Sequence, residues 1–282
     1  MILNDRAADP SDEGANHMLV NDNSSSLGVQ NAMATNQNRL KSSLQKLATG
    51  LRINQASDDP AGLAASEALR AQIRGGQQAQ SNANNALAML QVADSGSQQI
   101  SDTLQRMREL AIQAANGTYS STDRGAIQQE FSSLASEVSD IAQSTNYNGV
   151  ALLAGNQGFT FQVGDGSPGP TINASASLSS VMSLGNVSTQ SSAQGALASI
   201  DSVMGSVSAL RSGLGASMNQ LSSTAANLGS NIASVAAAES LIRDTEYAQQ
   251  STQLTTSQIL TQSSNAMLAQ ANLLPKGVMG LL

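Results

Sequence analysis

The stretch MATNQNRLKSSLQKLATGL, residues 33–51, decides the fold, because its large apolar side chains follow a seven-residue repeat. Those side chains are Met33, Leu40, Leu44, Leu47 and Leu51. A second seven-residue repeat lies far along the chain, at Leu221, Leu228, Val235 and Ile242. Two such stripes in opposite arms of the chain predict that the arms pair with each other, or with neighbouring copies. We therefore expect a mainly α protein whose N- and C-terminal arms form a long antiparallel helical bundle or coiled coil.

The apolar residues of the two arms are the candidate residues for packing between subunits. They are Met33, Leu40, Leu44, Leu47, Leu51, Leu268, Leu281 and Leu282.

Composition argues against an ordinary compact enzyme. Aromatic residues make up 2% of the 282 residues, so a large core lacks its usual space-filling side chains. Charged residues make up only 12%, and small uncharged side chains let helices approach closely over great length. This composition favours many subunits packed side by side. The net charge of −7, without basic clusters in the sequence, disfavours a nucleic-acid partner.

The sequence offers little for catalysis or for a cofactor. His17 is the only histidine, and cysteine is absent, so a histidine triad and the usual zinc ligand sets are disfavoured. The acidic pair Asp58 and Asp59 is interpreted as helix capping rather than as a pair of catalytic carboxylates. No apolar run is long enough to span a membrane, and residues 1–17 hold no signal-peptide core. We expect neither enzymatic activity nor a metal or cofactor.

The pattern of apolar and turn-forming residues divides the chain into four parts. Residues 1–26 are expected to be disordered. Residues 27–50 together with 245–282 are expected to form an inner coiled-coil domain, which residues 51–60 connect to the rest of the chain. Residues 61–244 are expected to form a helical rod with a β-hairpin near 150–175. A helix is expected to continue to Leu274 and to end at Pro275.

The longest helix of the rod carries two apolar rows with a strict seven-residue period. One row is Ala83, Leu90, Ser97, Leu104 and Ala111, and the other is Ala86, Ala93, Ile100, Met107 and Ala114. The next helix is predicted to bury Ile127, Phe131, Leu134, Val138 and Ile141. Each pattern places the apolar residues on one side of its helix.

Arg106, Arg108 and Glu109 form a dense charged cluster on the long helix. One interpretation is a solvated helix face with pairing inside the helix. The other is a contact between subunits, since isolated surface pairs contribute little and this chain uses charge sparingly.

Three segments resemble bacterial flagellin. ATGLRINQASDDPAGLA at residues 48–64 is similar to the stretch that joins the inner and outer helical layers of that family. LQRMRELAIQ at 104–113 resembles its long-helix signature, and MLAQANLLPKGVMGLL at 267–282 resembles its C-terminus. The similarity extends over about residues 19–282, and Met18 stands where family members usually begin.

The resemblance implies a secreted structural subunit that polymerises with many copies of itself into the flagellar filament. Because the middle is short, it resembles a minimal flagellin with the helical core domains only. It also implies an export apparatus, an export chaperone and a filament cap as partners. In similar flagellins the positions matching Arg106, Leu110 and Glu130 belong to the patch bound by the flagellin-sensing Toll-like receptor of animals and buried between subunits. Alternatives are a hook–filament junction protein and a flagellin-like surface binding protein or adhesin.

Overall fold

The computed structural model describes residues 24–154, 156–164, 171–177 and 184–279. The helices are α1 (Ser24–Thr49), α2 (Pro60–Ala115), α3 (Ser121–Ser144), α4 (Gln190–Arg243) and α5 (Tyr247–Met279), and the strands are β1 (Asn146–Tyr147), β2 (Val150–Ala151), β3 (Asn156–Gln162) and β4 (Thr171–Ser177). The mainly α fold class with a small β region is confirmed. The predicted disordered segment 1–26 lies largely outside the described residues, although α1 already begins at Ser24.

The chain folds into two compact units. Within the described residues, the terminal unit is built from residues 24–65 and 240–279, and the central unit from residues of the range 66–239. The boundaries expected from the sequence, at 60/61 and 244/245, stay a prediction.

The terminal unit pairs α1 with α5 in antiparallel orientation. The hydroxyl of Ser26 donates to Asn272 Oδ1 at 3.2 Å, and Asn36 Nδ2 donates to Ser264 Oγ at 3.4 Å. The side chains turned towards the partner helix recur every three or four residues along each helix, the spacing of a coiled-coil seam. On α1 they are Ser26, Val29, Met33, Asn36, Leu40, Ser43 and Leu47, and on α5 they are Leu254, Ser257, Thr261, Ser264, Leu268 and Ala271.

Two residues of the predicted N-terminal stripe do not belong to this seam. Ser43, seven residues after Asn36, occupies the seam position, which leaves the neighbouring Leu44 49% exposed. Leu51 lies beyond the end of α1, because Gly50 adopts a positive φ of 72°, a conformation that ends helices and suits glycine.

The two connecting segments of the terminal unit are bonded to each other. Leu51 forms an antiparallel bridge with Asp244, and the Thr245 amide donates to the Gly50 carbonyl at 2.9 Å. The guanidinium of Arg52 donates through Nε and Nη2 to the carbonyl oxygen of Ile242, at 3.2 and 2.6 Å. A cation at the carbonyl end of α4 is electrostatically favourable, so Arg52, which belongs to the N-terminal arm, caps the C-terminus of that helix.

The central unit contains the large apolar core of the described chain. All ten residues of the two predicted rows on α2 are buried, as are Ile127, Phe131 and Val138 of α3. Leu134 and Ile141 pack partly buried against the same cluster. Residues of α4 complete it, from Ala193 to Leu221. The predicted core is confirmed, because strict seven-residue rows report which side of a helix is covered.

α3 begins with a reciprocal cap. The Asp123 amide donates to Ser120 Oγ, and the Ser120 amide donates to Asp123 Oδ2 at 3.0 Å. The hydrogen bonds from Ser120 lower the pKa of the Asp123 carboxyl, since they stabilise its ionised form. This arrangement satisfies backbone donors that the first turn of the helix leaves unpaired.

The β region follows α3. Asn148 and Gly149 take positive φ angles of 51° and 79° in the tight turn between β1 and β2. β3 and β4 pair antiparallel from Asn156 opposite Ser177 to Gln162 opposite Thr171, which confirms the hairpin expected near residues 150–175.

The predicted end of the last helix at Pro275 is wrong. α5 continues through Pro275 to Met279. A proline lacks only its own amide donor, so the helix loses the bond to the Ala271 carbonyl while its neighbouring bonds can continue.

Candidate intersubunit surfaces

The terminal unit has almost no apolar core of its own. Its buried apolar residues, among those described, are Ile53 and Ala271. Its other buried residues are polar: Ser26, Asn36, Ser43 and Ser257. A seam of small polar side chains removes little apolar surface from water, so α1 and α5 gain little from contact with each other alone.

Large apolar side chains are exposed on this unit instead. Eight of the eleven exposed large apolar residues of the described chain lie in the terminal unit, although it is the smaller unit. They are Leu27, Leu44, Leu241, Tyr247, Ile259, Leu260, Met267 and Leu273. Apolar surface that is concentrated on one small unit marks a site of interaction with another protein.

Four of these residues form a stripe on α5, which we call the outer stripe: Ile259, Leu260, Met267 and Leu273. Their exposures are 60%, 40%, 59% and 56%. Leu260 and Met267 lie seven residues apart, and Ile259 and Leu273 lie fourteen apart, so they occupy two adjacent rows of one helix. The seam with α1 uses other positions of α5. Ile259 and Leu273 therefore lie on the side of α5 opposite the seam, and Leu260 and Met267 lie beside the seam. The period of the outer stripe was a signal that the sequence interpretation missed.

The structure separates the residues predicted for subunit packing. Met33, Leu40, Leu47 and Leu268 are partly buried in the seam between α1 and α5. Leu44 is exposed, and Leu51 lies in the connecting segment. Leu281 and Leu282 lie outside the described residues.

The charged cluster of the central unit is an ion-pair network across helices. Arg106 Nη2 lies 2.9 Å from Glu130 Oε1 on α3, and Arg106 Nη1 lies 3.0 Å from Glu109 Oε2 on α2 itself. The hydrogen bond to Glu130, followed by that to Glu109, raises the pKa of Arg106 above its ordinary value. Arg108 Nε pairs with Asp201 Oδ1 on α4 at 2.8 Å. The Arg106 and Glu130 side chains are about half exposed, so the pair contributes little to stability by itself.

Leu110 does not share the surface of this network. It is 2% exposed and belongs to the core between the helices of the central unit. Of the three residues expected to form one patch, the structure brings Arg106 and Glu130 together on the surface and places Leu110 beneath it.

The described residues contain no cluster of three or more His, Cys, Asp or Glu side chains that could hold a metal ion. None of the helices, within the described residues, is long and apolar enough to cross a membrane. The features with a clear chemical consequence are thus the apolar surface of the terminal unit and the charged network of the central one. They define a helical protein whose arms are built for association.

Comparisons with known proteins identify the family. The model of the bacterial flagellin N-terminal helical region matches residues 20–158, and that of the C-terminal helical region matches residues 197–282. The flagellar filament 30.7 kDa core protein of Treponema maltophilum is 39% identical over 94% of this chain and 100% of its own length. A flagellin of Halalkalibacterium halodurans is 38% identical over the same shares of the two chains.

A solved structure of a putative flagellar hook-associated protein from Vibrio parahaemolyticus is also similar. It is 18% identical, has a TM-score of 0.57, and matches 66% of this chain and 99% of its own. This similarity shows a shared fold alone. The chain belongs to the bacterial flagellin family, a family of structural proteins.

Proposed function

We propose that this chain is the repeating subunit of a bacterial flagellar filament, and that its terminal unit drives self-assembly outside the cell. The observation that carries the proposal is the distribution of apolar surface. The central unit buries most of its large apolar side chains and exposes three, whereas the terminal unit exposes eight and buries polar residues in its seam.

Folding and association are coupled in this mechanism. Fixing the backbone of each residue costs about 1–2 kcal/mol, which a seam of serine, asparagine and scattered leucine side chains offsets poorly. Contact with further copies covers the outer stripe of α5 and Leu44 and supplies the missing burial. The α1–α5 pair is therefore marginal in an isolated subunit and stable in the filament.

The composition of α5 supports this coupling. The hydroxyls of Thr252, Thr255, Thr256, Ser257 and Thr261 each donate to the backbone carbonyl four residues earlier. β-branched and hydroxyl residues are mediocre helix formers, and such back-bonding competes with the helix ladder. Helix propensity alone does not hold this stretch together, so packing must contribute.

Family membership supports the partners of such a subunit. A filament outside the cell requires secretion of the chain, for which the export apparatus, an export chaperone and the filament cap are the expected partners. Arg106 and Glu130 are the surface residues that a Toll-like receptor can contact in the central unit. Leu110 lies in the core beneath them, on the same helix as Arg106.

Deletion of residues 269–282 tests the proposal. The truncated chain should fail to polymerise, because it loses Ala271 of the seam and Leu273 of the outer stripe. Its central unit should keep its cooperative unfolding transition, since no residue of that core is removed. Sedimentation and circular dichroism measure the two properties, and filaments formed by the truncated chain would overturn the proposal.

A further inference from the structure

The paired terminal helices carry positive charge only. α1 contains Arg39, Lys41 and Lys46, α5 contains Lys276, and neither helix contains an aspartate or a glutamate. The whole chain has a net charge of −7, and the carboxylates nearest to α5, Asp244 and Glu246, precede the helix rather than lie within it. In coiled coils, charges that flank the seam ordinarily meet opposite charges on the partner helix. Here the partner helix offers none.

Part of this positive charge converges on one cavity of the terminal unit, which we call the basic groove. Its volume is about 320 Å³, enough for on the order of ten water molecules. Its lining is cationic and polar: Arg39, Lys46 and Arg52, with Ser42, Ser43, Gln249, Gln250 and Gln253. Arg39 and Lys46 lie seven residues apart on α1, so they flank the seam on the same side.

The cations of the groove have little compensation. The ion pairs of the described residues involve other cations, at Arg70, Arg106, Arg108 and Arg211. Arg52 directs two donors to the Ile242 carbonyl, which carries only a partial charge, and a guanidinium has five donors in all. Glutamine amides on the α5 side can donate hydrogen bonds but cannot neutralise charge. The groove thus gathers donors and positive charge without an acceptor that carries a full negative charge.

We propose that the basic groove is a binding site for a small oxyanion of the phosphate or sulfate kind. Arg39, Lys46 and Arg52 supply the charge, and the serine hydroxyls and glutamine amides supply further donors, as in other oxyanion sites. Because α1, α5 and a connecting segment all contribute, the bound anion stabilises their pairing. Lys41 stands on α1 but does not line the groove. It therefore provides a matched control of equal charge on the same helix.

The test is a titration of the full chain with inorganic phosphate against sodium chloride at matched ionic strength. It is run on monomers, verified by sedimentation, and on assembled filaments. Calorimetry should show saturable binding of phosphate and none of chloride, and the thermal midpoint of the terminal helices should rise with phosphate. Arg39→Gln and Lys46→Gln should each weaken phosphate binding about tenfold, and Lys41→Gln less than about twofold.

Two results would overturn the proposal: no saturable heat with either monomers or filaments, or an equal loss of affinity in Lys41→Gln, which would indicate a diffuse charge effect. An acetate titration adds a comparison of ligands, and binding as tight as that of phosphate would refute the assignment to a phosphate-like oxyanion. The inference does not rest on polymerisation. A failure to bind phosphate leaves filament assembly, measured by sedimentation, unaffected.

Discussion

Substitution of Ile259 by serine should weaken filament assembly without unfolding the subunit. Ile259 is 60% exposed on the outer stripe of α5. Full burial of an isoleucine contributes about 1.5–3 kcal/mol, so covering its exposed part contributes about 1–2 kcal/mol per subunit. At about 1.4 kcal/mol per factor of ten, the critical concentration for polymerisation should rise about 5- to 30-fold in Ile259→Ser.

The isolated subunit should be nearly unaffected. Isoleucine and serine have similar helix propensities, and exposed substitutions usually change stability by less than about 0.5 kcal/mol. Gln258→Ser provides the control, since Gln258 is the exposed polar neighbour of Ile259. Its critical concentration should stay within about twofold of the parent value.

The measurement is the protein remaining in solution after seeded polymerisation, determined by sedimentation at several total concentrations. Circular dichroism of the same samples verifies the subunit. If Ile259→Ser and Gln258→Ser give the same critical concentration, the outer stripe is not buried between subunits, and the reasoning from exposed apolar area fails.

Further changes probe the central unit. Gly96→Ala should lower its free energy of unfolding by about 1–3 kcal/mol in denaturant titrations, because the added Cβ would lie 2.5 Å from Thr145 Oγ1; equal or greater stability would contradict the close packing. Ser120→Ala should cost about 1 kcal/mol at neutral pH. Since the pKa of Asp123 is lowered in the folded state, its contribution is present above the unfolded pKa of about 3.9 and is lost as pH falls through the folded value, so the difference from the parent should shrink in acid. Arg106→Ala should both raise the critical concentration about two- to fivefold and weaken receptor signalling in reporter cells. If neither quantity changes, Arg106 and Glu130 form only a solvated ion pair without a role in assembly or receptor binding.

The sequence predicted the central unit better than the terminal unit, and the reason is physical. On α2, a strict seven-residue row such as Leu90 and Leu104 means burial, because the chain itself covers that side of the helix. On α1, the seam includes Asn36 and Ser43, and because they are polar they do not appear in an apolar seven-residue pattern. Leu44, which does appear in that pattern, is exposed. Apolar periodicity indicates that a helix face is buried, but it does not indicate whether the same chain or a neighbouring copy buries it.

The surface features were harder to predict than the core. The resemblance to flagellin grouped Leu110 with Arg106 and Glu130, but the guanidinium of Arg106 lies at the surface while Leu110 packs into the core. The basic groove combines residues from α1, a connecting segment and α5 that lie far apart in the chain. The composition of the individual segments did not indicate the groove, since α1 contributes two cations, the connecting segment one and α5 none.

The pairing of β3 with β4 has a practical consequence for engineering. Gln162 and Thr171 lie opposite each other at one end of the ladder, so a peptide inserted between them starts and finishes at neighbouring points. The entropic cost of a longer loop grows only by about 0.6 kcal/mol per doubling of its length. The hairpin belongs to the central unit, whereas α1 and α5 belong to the terminal unit. The chain is thus a scaffold on which foreign epitopes could be displayed in many copies along one polymer.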